Sequence, residues 1–364
     1  MDIFELMKKG GHEQVIFSYD KETGLRAIIA IHDTTLGHAC GGTRMVNYAS
    51  MEDALKDAMR LSKAMTYKCA AADEDKGGGK GVIWGDPKKD KNEAYLRAYG
   101  RFIEILKGRF VTGAADLNLN EADGSIMGRE TRYILAKPKE EGSSGNTGAI
   151  TAYGIFVGLK ACAQFLWGDN NLKGKKIAVQ GLGAVGEPLL EYLKEGGLEV
   201  IATDINEKTL QHLQTKYGYK AVKPEEIYEV DCDIFSPSAI GGVLNNQTIP
   251  KLKCRVVAGC ANNQLEDEGR HSRMLHERGI LYAPDYIINA GGVIQAIDEE
   301  QGYHPERVKM KTDRIYVRLL HIFEMAQKEG IFPVEAANRY AEMRIREIHK
   351  MRRLYVPGQH GAER

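Results

Sequence analysis

The sequence predicts an α/β protein of two domains, the second of which contains a doubly wound parallel sheet. Its 364 residues exceed what one compact core of ordinary size accommodates. The segment Glu140–Gly148 is rich in glycine, serine and other turn-forming residues, which is typical of a domain junction. After this junction, short β-rich runs alternate with helical segments, as expected for a parallel sheet covered by helices.

The N-terminal part begins with a predicted β-hairpin. Its strand-like runs, Gln14–Phe17 and Leu25–Ile31, are joined by residues with turn composition. Ser50 and Asp53 form a capping-box pattern that predicts the start of a helix, and a second helix is predicted from Asn92. We expect these strands and helices to form a mixed α/β domain.

The second half is predicted to contain five strands and several helices. The strands are Ile177–Gln180, Val200–Thr203, Ile234–Phe235, Val256–Val257 and Ile280–Tyr282. Helices are predicted over Glu187–Glu195, Glu207–Tyr217, Val308–Glu329 and Val334–Met351. We expect the last helix to return to the first domain.

Charge and cysteine usage exclude several classes of protein. The 50 basic and 50 acidic side chains balance without long blocks, which argues against nucleic acid or an anionic membrane as a partner. No apolar run is expected to reach the length that spans a bilayer. The six cysteines show no metal-binding or disulfide spacing, so we expect no metal and a cytoplasmic protein.

A dinucleotide-binding motif lies between a predicted strand and a predicted helix. The segment Gly181–Gly186 reads Gly-Leu-Gly-Ala-Val-Gly and follows the strand Ile177–Gln180, the context that the Rossmann fingerprint requires. Asp204 ends the next strand, where a carboxylate can bind the adenosine ribose and repel a 2′-phosphate. The residues assigned to the coenzyme are Gly181, Gly183, Ala184, Val185, Gly186 and Asp204. NAD is therefore the predicted cofactor.

Two lysines of the first half are candidates for chemistry. Lys80 follows Gly77–Gly79, and we expect these glycines to let a ligand approach, so that the amine faces a confined site and acts as a general base. A phosphate loop is excluded, because Glu74 and Gly81 occupy positions that this motif reserves for glycine and for serine or threonine. Lys68 lies near the end of a predicted helix.

Six motifs together resemble the leucine, phenylalanine and valine dehydrogenase branch of the amino-acid dehydrogenase family. They are Ile31-His-Asp-Thr-Thr35, Gly41-Gly-Thr-Arg44, Met65-Thr-Tyr-Lys68, Gly77-Gly-Gly-Lys80, Ala261-Asn-Asn-Gln264, and Ala283-Pro-Asp-Tyr286 with Asn289-Ala-Gly-Gly292. The resemblance covers nearly the whole chain. It implies a substrate-binding and oligomerisation domain over residues 1–138 with the C-terminal helix 334–364, a Rossmann domain over 139–333, and a homo-oligomer.

The resemblance also implies an activity and roles for individual residues. The reaction would be reversible oxidative deamination, in which an L-amino acid and NAD give a 2-oxo acid, ammonia and NADH. Lys68 would bind the substrate carboxylate, and Lys80 would activate water and exchange protons with the intermediates. Asn262 would orient the substrate and contact the coenzyme, and Thr151 would lie near the nicotinamide.

Asp116 matches the catalytic aspartate of that family, although its loop departs from the family pattern. One extra residue lies between Thr112 and Asp116, and Asn118 replaces a common glycine. If the loop did not absorb the insertion, the carboxylate would miss its place, and about 1 Å of misplacement matters in catalysis.

The residues expected around the substrate side chain carry no charge, which favours an apolar amino acid over glutamate. They are Cys40, Gly41, Met65, Gly113, Leu135, Val293 and Ala296. Small residues among them favour phenylalanine, whereas Leu135 favours a smaller substrate such as leucine or valine. Two further hypotheses are a non-catalytic NAD-binding protein and a hydroxy-acid dehydrogenase, the latter lacking its histidine and arginine motif here.

Overall fold

The computed structural model describes residues 1–351. They fall into two compact units. Among these residues, unit 1 comprises Met1–Leu119, Ile126–Ile134 and 339–351, and unit 2 comprises Asn120–Ser125 and Leu135–Asn338. Residues 352–364 of the predicted range 334–364 lie outside the described residues. The functions assigned to the ranges 1–138 and 139–333 stay predictions.

The first sheet contains six strands. They are β1 (Gln14–Tyr19), β2 (Arg26–Asp33), β3 (Ala39–Val46), β4 (Gly77–Trp84), β5 (Phe110–Gly113) and β6 (Ile134–Leu135). The helices are α1 (Ile3–Gly10), α2 (Met51–Ala71), α3 (Glu93–Ile105) and α4 (Glu121–Gly128). The strand order is β1-β2-β4-β3-β5-β6, with β2 antiparallel to both of its neighbours, β1 and β4, and β3 parallel to β4 and β5.

The predicted hairpin and both predicted helix starts are confirmed. Strands β1 and β2 pair antiparallel, and Ser50 and Asn92 accept hydrogen bonds from backbone amides in the first turns of α2 and α3. Strand β2 is buried on both faces: Ile29 packs in a core with α3, and Ile28 packs in a core with α2. The first sheet therefore lies in a layer between helices.

Strands β3 and β4 were not recognised in the sequence, because they contain six glycines, which have low β propensity. These are Gly41 and Gly42 in β3 and Gly77, Gly78, Gly79 and Gly81 in β4. The expectation that Gly77–Gly79 make room for a ligand is wrong. A Cβ at Gly78 would overlap Thr66 and Ser62 of α2, and one at Gly79 would lie 2.6 Å from the Phe110 ring. These glycines permit close packing within the protein.

Unit 2 is built on a parallel sheet of six strands. They are β7 (Lys176–Gln180), β8 (Glu199–Thr203), β9 (Lys220–Ala221), β10 (Ile234–Pro237), β11 (Val256–Val257) and β12 (Leu281–Tyr282). Their order is β12-β11-β10-β7-β8-β9, and every described pair is parallel. This is the Rossmann order, with the topological switch point between β7 and β10.

The remaining α-helices continue the numbering. They are α5 (Gly148–Trp167), α6 (Gly186–Glu195), α7 (Glu207–Tyr217), α8 (Glu268–Glu277), α9 (Asp285–Ile288), α10 (Gly291–Asp298), α11 (Pro305–Asp313), α12 (Ile315–Glu329) and α13 (Pro333–Met351). The five predicted strands and the predicted helices α6, α7 and α13 are confirmed to within two residues at each end. In α13, Arg344 pairs with Asp73 and Asp75 of unit 1, so the predicted return of the last helix to the first domain is also confirmed.

The prediction of one helix over Val308–Glu329 is wrong, because the chain breaks into α11 and α12 at Arg314. Both helices pack against α5, where missing side chains let them approach closely. A Cβ at Gly154 would lie 2.9 Å from Ile315 Cδ1 and 3.3 Å from Thr312 Cγ2. Tertiary packing on both sides of the break therefore accounts for it, and no glycine or proline marks it in the sequence.

Helix α5 corrects another expectation. Among the described residues it is the one helix with the length and hydropathy of a membrane span, so the expectation that no apolar run reaches this length is wrong. Inside the protein, 61% of its most apolar stretch is buried, as is typical of a core helix.

The predicted junction Glu140–Gly148 is firmly held. Glu299 accepts hydrogen bonds from Ser143 Oγ at 2.6 Å and from Ser144 N at 2.9 Å, and the Gln295 amide donates to the Ser144 carbonyl. Glu140–Gly148 has the composition of a flexible linker, but hydrogen bonds to Glu299 and Gln295 hold it in place.

Candidate active site

Lys80 and Asp116 form an ion pair in unit 1. Lys80 projects from β4 with only 6% of its surface exposed, and its Nζ donates to Asp116 Oδ2. Asp116 lies in the loop that follows β5. Two groups that are 36 positions apart in the chain are thereby brought into direct contact.

The loop absorbs the extra residue before Asp116. Asn118 adopts a left-handed conformation with φ of 64°, which asparagine tolerates better than most residues with a Cβ. Its Nδ2 donates to the Met45 carbonyl at 2.9 Å, and the Met45 amide donates to the Leu117 carbonyl at 3.1 Å. These bonds attach the loop to β3 and explain how asparagine replaces the glycine of the family pattern.

Arg44 is a site residue that the sequence reasoning missed. Its guanidinium lies 3.5 Å from Asp116 Oδ1 and 3.0 Å from Asp57 Oδ2, so it joins the loop to helix α2. Arg44 stands at the end of the quoted motif Gly41–Arg44, and a buried arginine beside two aspartates has no recognisable spacing in the sequence. Only the pairing of β3 with its neighbours could reveal it.

The electrostatics of this cluster favour an ionised Asp116. Burial alone would raise the pKa of its carboxyl group, but the charges of Lys80 and Arg44, together with hydrogen bonds from Lys80 and from the Leu117 amide, lower it to about 2. Asp116 is therefore ionised throughout the neutral pH range. Its carboxylate can accept a hydrogen bond from the protonated amine of Lys80.

Gly42, also missed, leaves the space that the ion pair occupies. A Cβ there would lie 3.2 Å from Asp116 Oδ2 and 3.4 Å from Lys80 Nζ. At Gly41, a Cβ would overlap the Gly79 carbonyl and lie 3.2 Å from Met65 Cγ. The glycine pair of β3 therefore serves both strand packing and access to Lys80.

The other predicted residues of unit 1 lie on the same strands or on α2. Lys68 is half-buried in the last turn of α2, three residues after Met65. Cys40 is buried in β3. At Gly113, which ends β5, an added Cβ would meet no atom of residues 1–351 within 4 Å. Gly113 is thus the member of this set that borders open space.

In unit 2 the turn Gly181–Gly186 has the geometry of a dinucleotide loop. Gly181 has φ of 101°, and a Cβ there would lie 2.7 Å from Ala239, which follows β10 at the switch point. A Cβ at Gly186 would overlap the Gly181 carbonyl, whereas one at Gly183 would meet nothing within 4 Å among the described atoms. Gly183 therefore faces space that a ligand can use.

Three helices begin around this turn without a side-chain cap. The N-cap residues of α6 and α10 are Val185 and Ala290, whose side chains have no acceptor, and Thr147 makes no capping bond to α5. A Cβ at Gly148, the first residue of α5, would overlap the Ala184 carbonyl.

The first turn of α5 also lies close to the first turn of α10, because a Cβ at Gly292 would lie 2.8 Å from Thr151 Oγ1. Side chains cap α1, α2, α3, α7 and α8, whereas α9, α11 and α12, like the three helices at this turn, begin without a side-chain cap. Helix starts that lack a cap can donate their amides to an anion, so these residues fit the pyrophosphate of a dinucleotide.

Asp204 follows β8 and braces the same turn. Its Oδ2 accepts from the Leu182 amide at 2.7 Å, and its Oδ1 accepts from the Asn206 amide at 2.8 Å. The carboxylate therefore lies at the carboxyl end of the sheet, beside the glycine turn, as the ribose hypothesis requires.

The remaining candidates of unit 2 occupy α5, α10 and two loops. Asn262 is exposed, and its Oδ1 accepts from Asn289 Nδ2 at 2.9 Å, which makes the buried Asn289 a residue that orients it. Val293 and Ala296 are half-buried at i and i+3 on α10 and so share a face. Leu135 is buried in β6.

Comparison with known proteins agrees with this architecture. Residues 12–133 match the model of the Glu/Leu/Phe/Val dehydrogenase dimerisation domain, and residues 199–353 match that of Glutamate/Leucine/Phenylalanine/Valine dehydrogenase. A leucine dehydrogenase of Thermoactinomyces intermedius is 50% identical over 359 residues, covering 99% of this chain and 98% of the relative. A phenylalanine dehydrogenase of the same organism is 48% identical over 357 residues, covering 98% and 97%.

A solved structure shows the same fold. The L-tryptophan dehydrogenase of Nostoc punctiforme superposes with a TM-score of 0.82 at 45% identity, covering 95% of this chain and 99% of that chain. The Rossmann order, the uncapped helix starts and these matches lead to one conclusion: the chain belongs to the NAD-dependent Glu/Leu/Phe/Val dehydrogenase family, in its leucine and phenylalanine branch.

Proposed function

We propose that this protein catalyses the reversible oxidative deamination of an apolar L-amino acid, with L-phenylalanine as its best substrate. The amino acid, NAD⁺ and water would give the 2-oxo acid, ammonium, NADH and a proton. The observation that carries the proposal is the ion pair between the buried Lys80 and the half-buried Asp116, which Arg44 also contacts. A lysine placed beside an ionised carboxylate and largely shielded from water is suited to exchanging protons with a substrate.

The roles proposed for individual residues are those that membership of the family implies. Lys68 would bind the substrate carboxylate through its ammonium. Lys80 would take a proton from the water that attacks the imine carbon and return it to the leaving ammonia, while Asp116 stabilises the protonated lysine between these steps. When bound, the coenzyme supplies the nicotinamide that accepts the hydride. Thr151 and Asn262 would orient the nicotinamide and the substrate, respectively.

The preference for phenylalanine over leucine or valine rests on the space beside Gly113. A side chain at this position would meet no described atom within 4 Å, so its absence leaves volume for an aromatic ring. In unit 2, Val293 and Ala296 share one face of α10 and are the apolar residues proposed there for contact with the substrate. Leucine and valine are the alternative substrates, since both leucine and phenylalanine dehydrogenases are similar to this chain at about the same identity.

The test is an assay of 2-oxo acids with ammonia and NADH, following the loss of NADH. We expect turnover of the oxo acids of phenylalanine, leucine and valine, with that of phenylalanine the fastest, and none with the oxo acid of glutamate. A higher kcat/KM for the leucine oxo acid would overturn the substrate preference and leave the reaction intact. NADH binding without oxidation of any 2-oxo acid would support the non-catalytic hypothesis instead.

Lys80→Ala provides the matched variant for this assay. It should abolish turnover and leave the NADH affinity unchanged, because Lys80 belongs to unit 1 and the dinucleotide turn belongs to unit 2. Retention of most of the activity would refute the role of Lys80.

We further propose a homo-oligomer in the cytoplasm. Unit 1 offers the edge strand β1, on which Tyr19 is 69% and Phe17 46% exposed, and edge strands with apolar side chains tend to be covered. All six cysteines are free thiols, which suits a reducing compartment. Light scattering of the purified chain would test the assembly, and a monomeric mass would refute it.

A further inference from the structure

A chain of charged groups leads away from Asp116 through unit 1. Arg44 of β3 reaches Asp116 with Nη2 and Asp57 of α2 with Nη1. Asp57 also accepts a hydrogen bond from the Tyr48 hydroxyl at 2.6 Å. The side chains of Arg44 and Asp57 are 17% and 15% exposed, so the chain is shielded from water along most of its length.

The charges in this cluster balance. Two cations, Lys80 and Arg44, alternate with two anions, Asp116 and Asp57, and each internal member contacts two partners. Burial raises the pKa of Asp57, but the hydrogen bond of Tyr48 and the charge of Arg44 outweigh it and lower the pKa overall. Burial and the bond to Asp57 raise the pKa of Tyr48, which therefore remains a donor.

One further cation approaches from outside. Arg60 lies 3.3 Å from Asp57 Oδ1, but its side chain is 62% exposed. Arg44 and Arg60 thus hold the two oxygens of one carboxylate, the first from the site and the second from solvent. Arg44 is shielded from water and Arg60 is solvated, so variants of the two arginines can be compared directly.

We infer that Arg44 is a positioning residue, anchored by Asp57 and Tyr48, that holds the Asp116 carboxylate in place against Lys80. The inference rests on the proposed function and adds a residue to it. A planar guanidinium with two terminal nitrogens can span two carboxylates at once, which a lysine ammonium at this position cannot do with the same geometry. Asp57 and Tyr48 set the direction in which the guanidinium points.

A purely structural tie between β3 and α2 would have different consequences. Loss of such a tie would lower thermal stability without changing the protonation of the reacting groups. Loss of Arg44 as a positioning cation removes one of the two positive charges that stabilise the Asp116 carboxylate, so protons bind more readily in the cluster and the acidic limb of the pH profile moves. The groups that face Asp116 are Lys80 and Arg44, and those that face Arg44 are Asp116, Asp57 and Tyr48.

The experiment compares pH profiles of kcat/KM for Arg44→Gln, Arg44→Lys, Asp57→Asn and the control Arg60→Gln. Arg44→Gln should lower kcat by about 10- to 100-fold with little change in KM. It should also move the acidic limb to higher pH by about one unit or more. Arg44→Lys keeps the charge and should restore the limb, although not the full kcat.

Asp57→Asn and Arg60→Gln test the direction in which the acidic limb of the pH profile moves. Asp57→Asn removes an anion, so it should lower kcat and leave the limb in place or move it to lower pH. Arg60→Gln should match the wild type, because its charge is solvated. An unshifted limb in Arg44→Gln, or an equal shift in Arg60→Gln, would overturn the inference.

A second measurement does not depend on activity. NMR titration of ¹³C-aspartate-labelled protein, with the Asp116 signal assigned from Asp116→Asn, should show this carboxyl titrating at higher pH in Arg44→Gln than in the wild type. If the wild type lacks turnover, the proposed function fails while this titration still tests Arg44. An unchanged Asp116 titration would refute the inference even in an active enzyme.

Discussion

Two glycine-rich segments of this chain look alike in sequence and differ in what their glycines accommodate. In Gly77–Gly81 of unit 1, the missing side chains make room for the protein itself, because added Cβ atoms would overlap α2, the Phe110 ring or the Tyr99 hydroxyl. In Gly181–Gly186 of unit 2, the central glycine faces open space. Glycine content alone therefore does not identify a ligand site.

The difference arises from the structure that each segment joins. Gly77–Gly81 lies inside β4, paired on both sides and covered by α2, so that Lys80 is the one side chain projecting from this stretch. Gly181–Gly186 joins a strand end to a helix start, where backbone amides are available to an anion. In the first segment the glycines allow close packing around Lys80, the side chain proposed to be catalytic, and in the second they expose the backbone.

The largest effect is expected from Gly78→Ala. Its Cβ would overlap Thr66 and the Ser62 carbonyl of α2, and backbone at this point cannot move aside without separating the helix from the sheet. We expect the free energy of unfolding to fall by about 3 kcal/mol, measured by urea denaturation. Gly113→Ala, in the same sheet but facing open space, is the control, and equal stability of the two variants would contradict the packing explanation.

The contact that Gly78 permits should also depend on pH. His32 Nδ1 and Thr66 Oγ1 form a hydrogen bond of 2.8 Å, and burial, with smaller contributions from His12 and Lys63, lowers the pKa of His32 to about 4. Because the folded-state pKa lies below the unfolded value of about 6.5, this stability is complete above pH 6.5 and is lost as the pH falls toward 4.

Between pH 6.5 and pH 4, the contribution of His32 to the free energy of unfolding should fall by up to about 3 kcal/mol. Thermal unfolding at pH 7, 6, 5 and 4 would measure it. His32→Gln should lose less stability than the wild type across the same window, and identical slopes for the two proteins would count against His32.

Gly183→Ala tests whether the space beside this glycine serves the coenzyme or the packing of the protein. Its Cβ would meet no described atom within 4 Å, so the melting temperature without ligand should not change. The dissociation constant for NADH, measured by fluorescence titration, should rise about tenfold or more, equivalent to about 1.4 kcal/mol. Gly186→Ala should impair both properties, because its Cβ overlaps the Gly181 carbonyl. Unaltered NADH affinity in Gly183→Ala would mean that the coenzyme lies elsewhere.

The smallest effect is expected from Gly113→Ala, which adds a methyl group to the open space at the end of β5. The ratio of kcat/KM for phenylalanine to that for leucine should fall by about tenfold, since one methylene in an apolar pocket is worth about 1 to 3 kcal/mol. Steady-state assays with both amino acids would measure it. An unchanged ratio would remove Gly113 from the substrate pocket.

Signals that act within a few residues were readable from the sequence. Ser50 and Asn92 cap the helices that follow them, Gly330 ends α12 in a left-handed conformation, and Gly181–Gly186 follows its strand directly. Each of these features depends on backbone groups three or four positions away, so the local order of residues is sufficient to predict them.

Contacts between distant residues were not readable in this way. Arg44 and Asp116 are 72 positions apart, and their contact depends on how β3 pairs with β5 and on how the inserted loop folds back onto Met45. The break at Arg314 likewise depends on packing against α5.

The sequence by itself determined the Rossmann unit, most of the helix ends and the dinucleotide turn, and it predicted roles for Lys68 and Lys80. The tertiary structure decided that the glycines beside Lys80 serve packing, that Asp116 reaches this lysine despite the insertion, and that Arg44 links Asp116 to Asp57. The physical reason is that local hydrogen bonds are specified by neighbouring residues, whereas buried space and charge balance are properties of segments that meet only after folding.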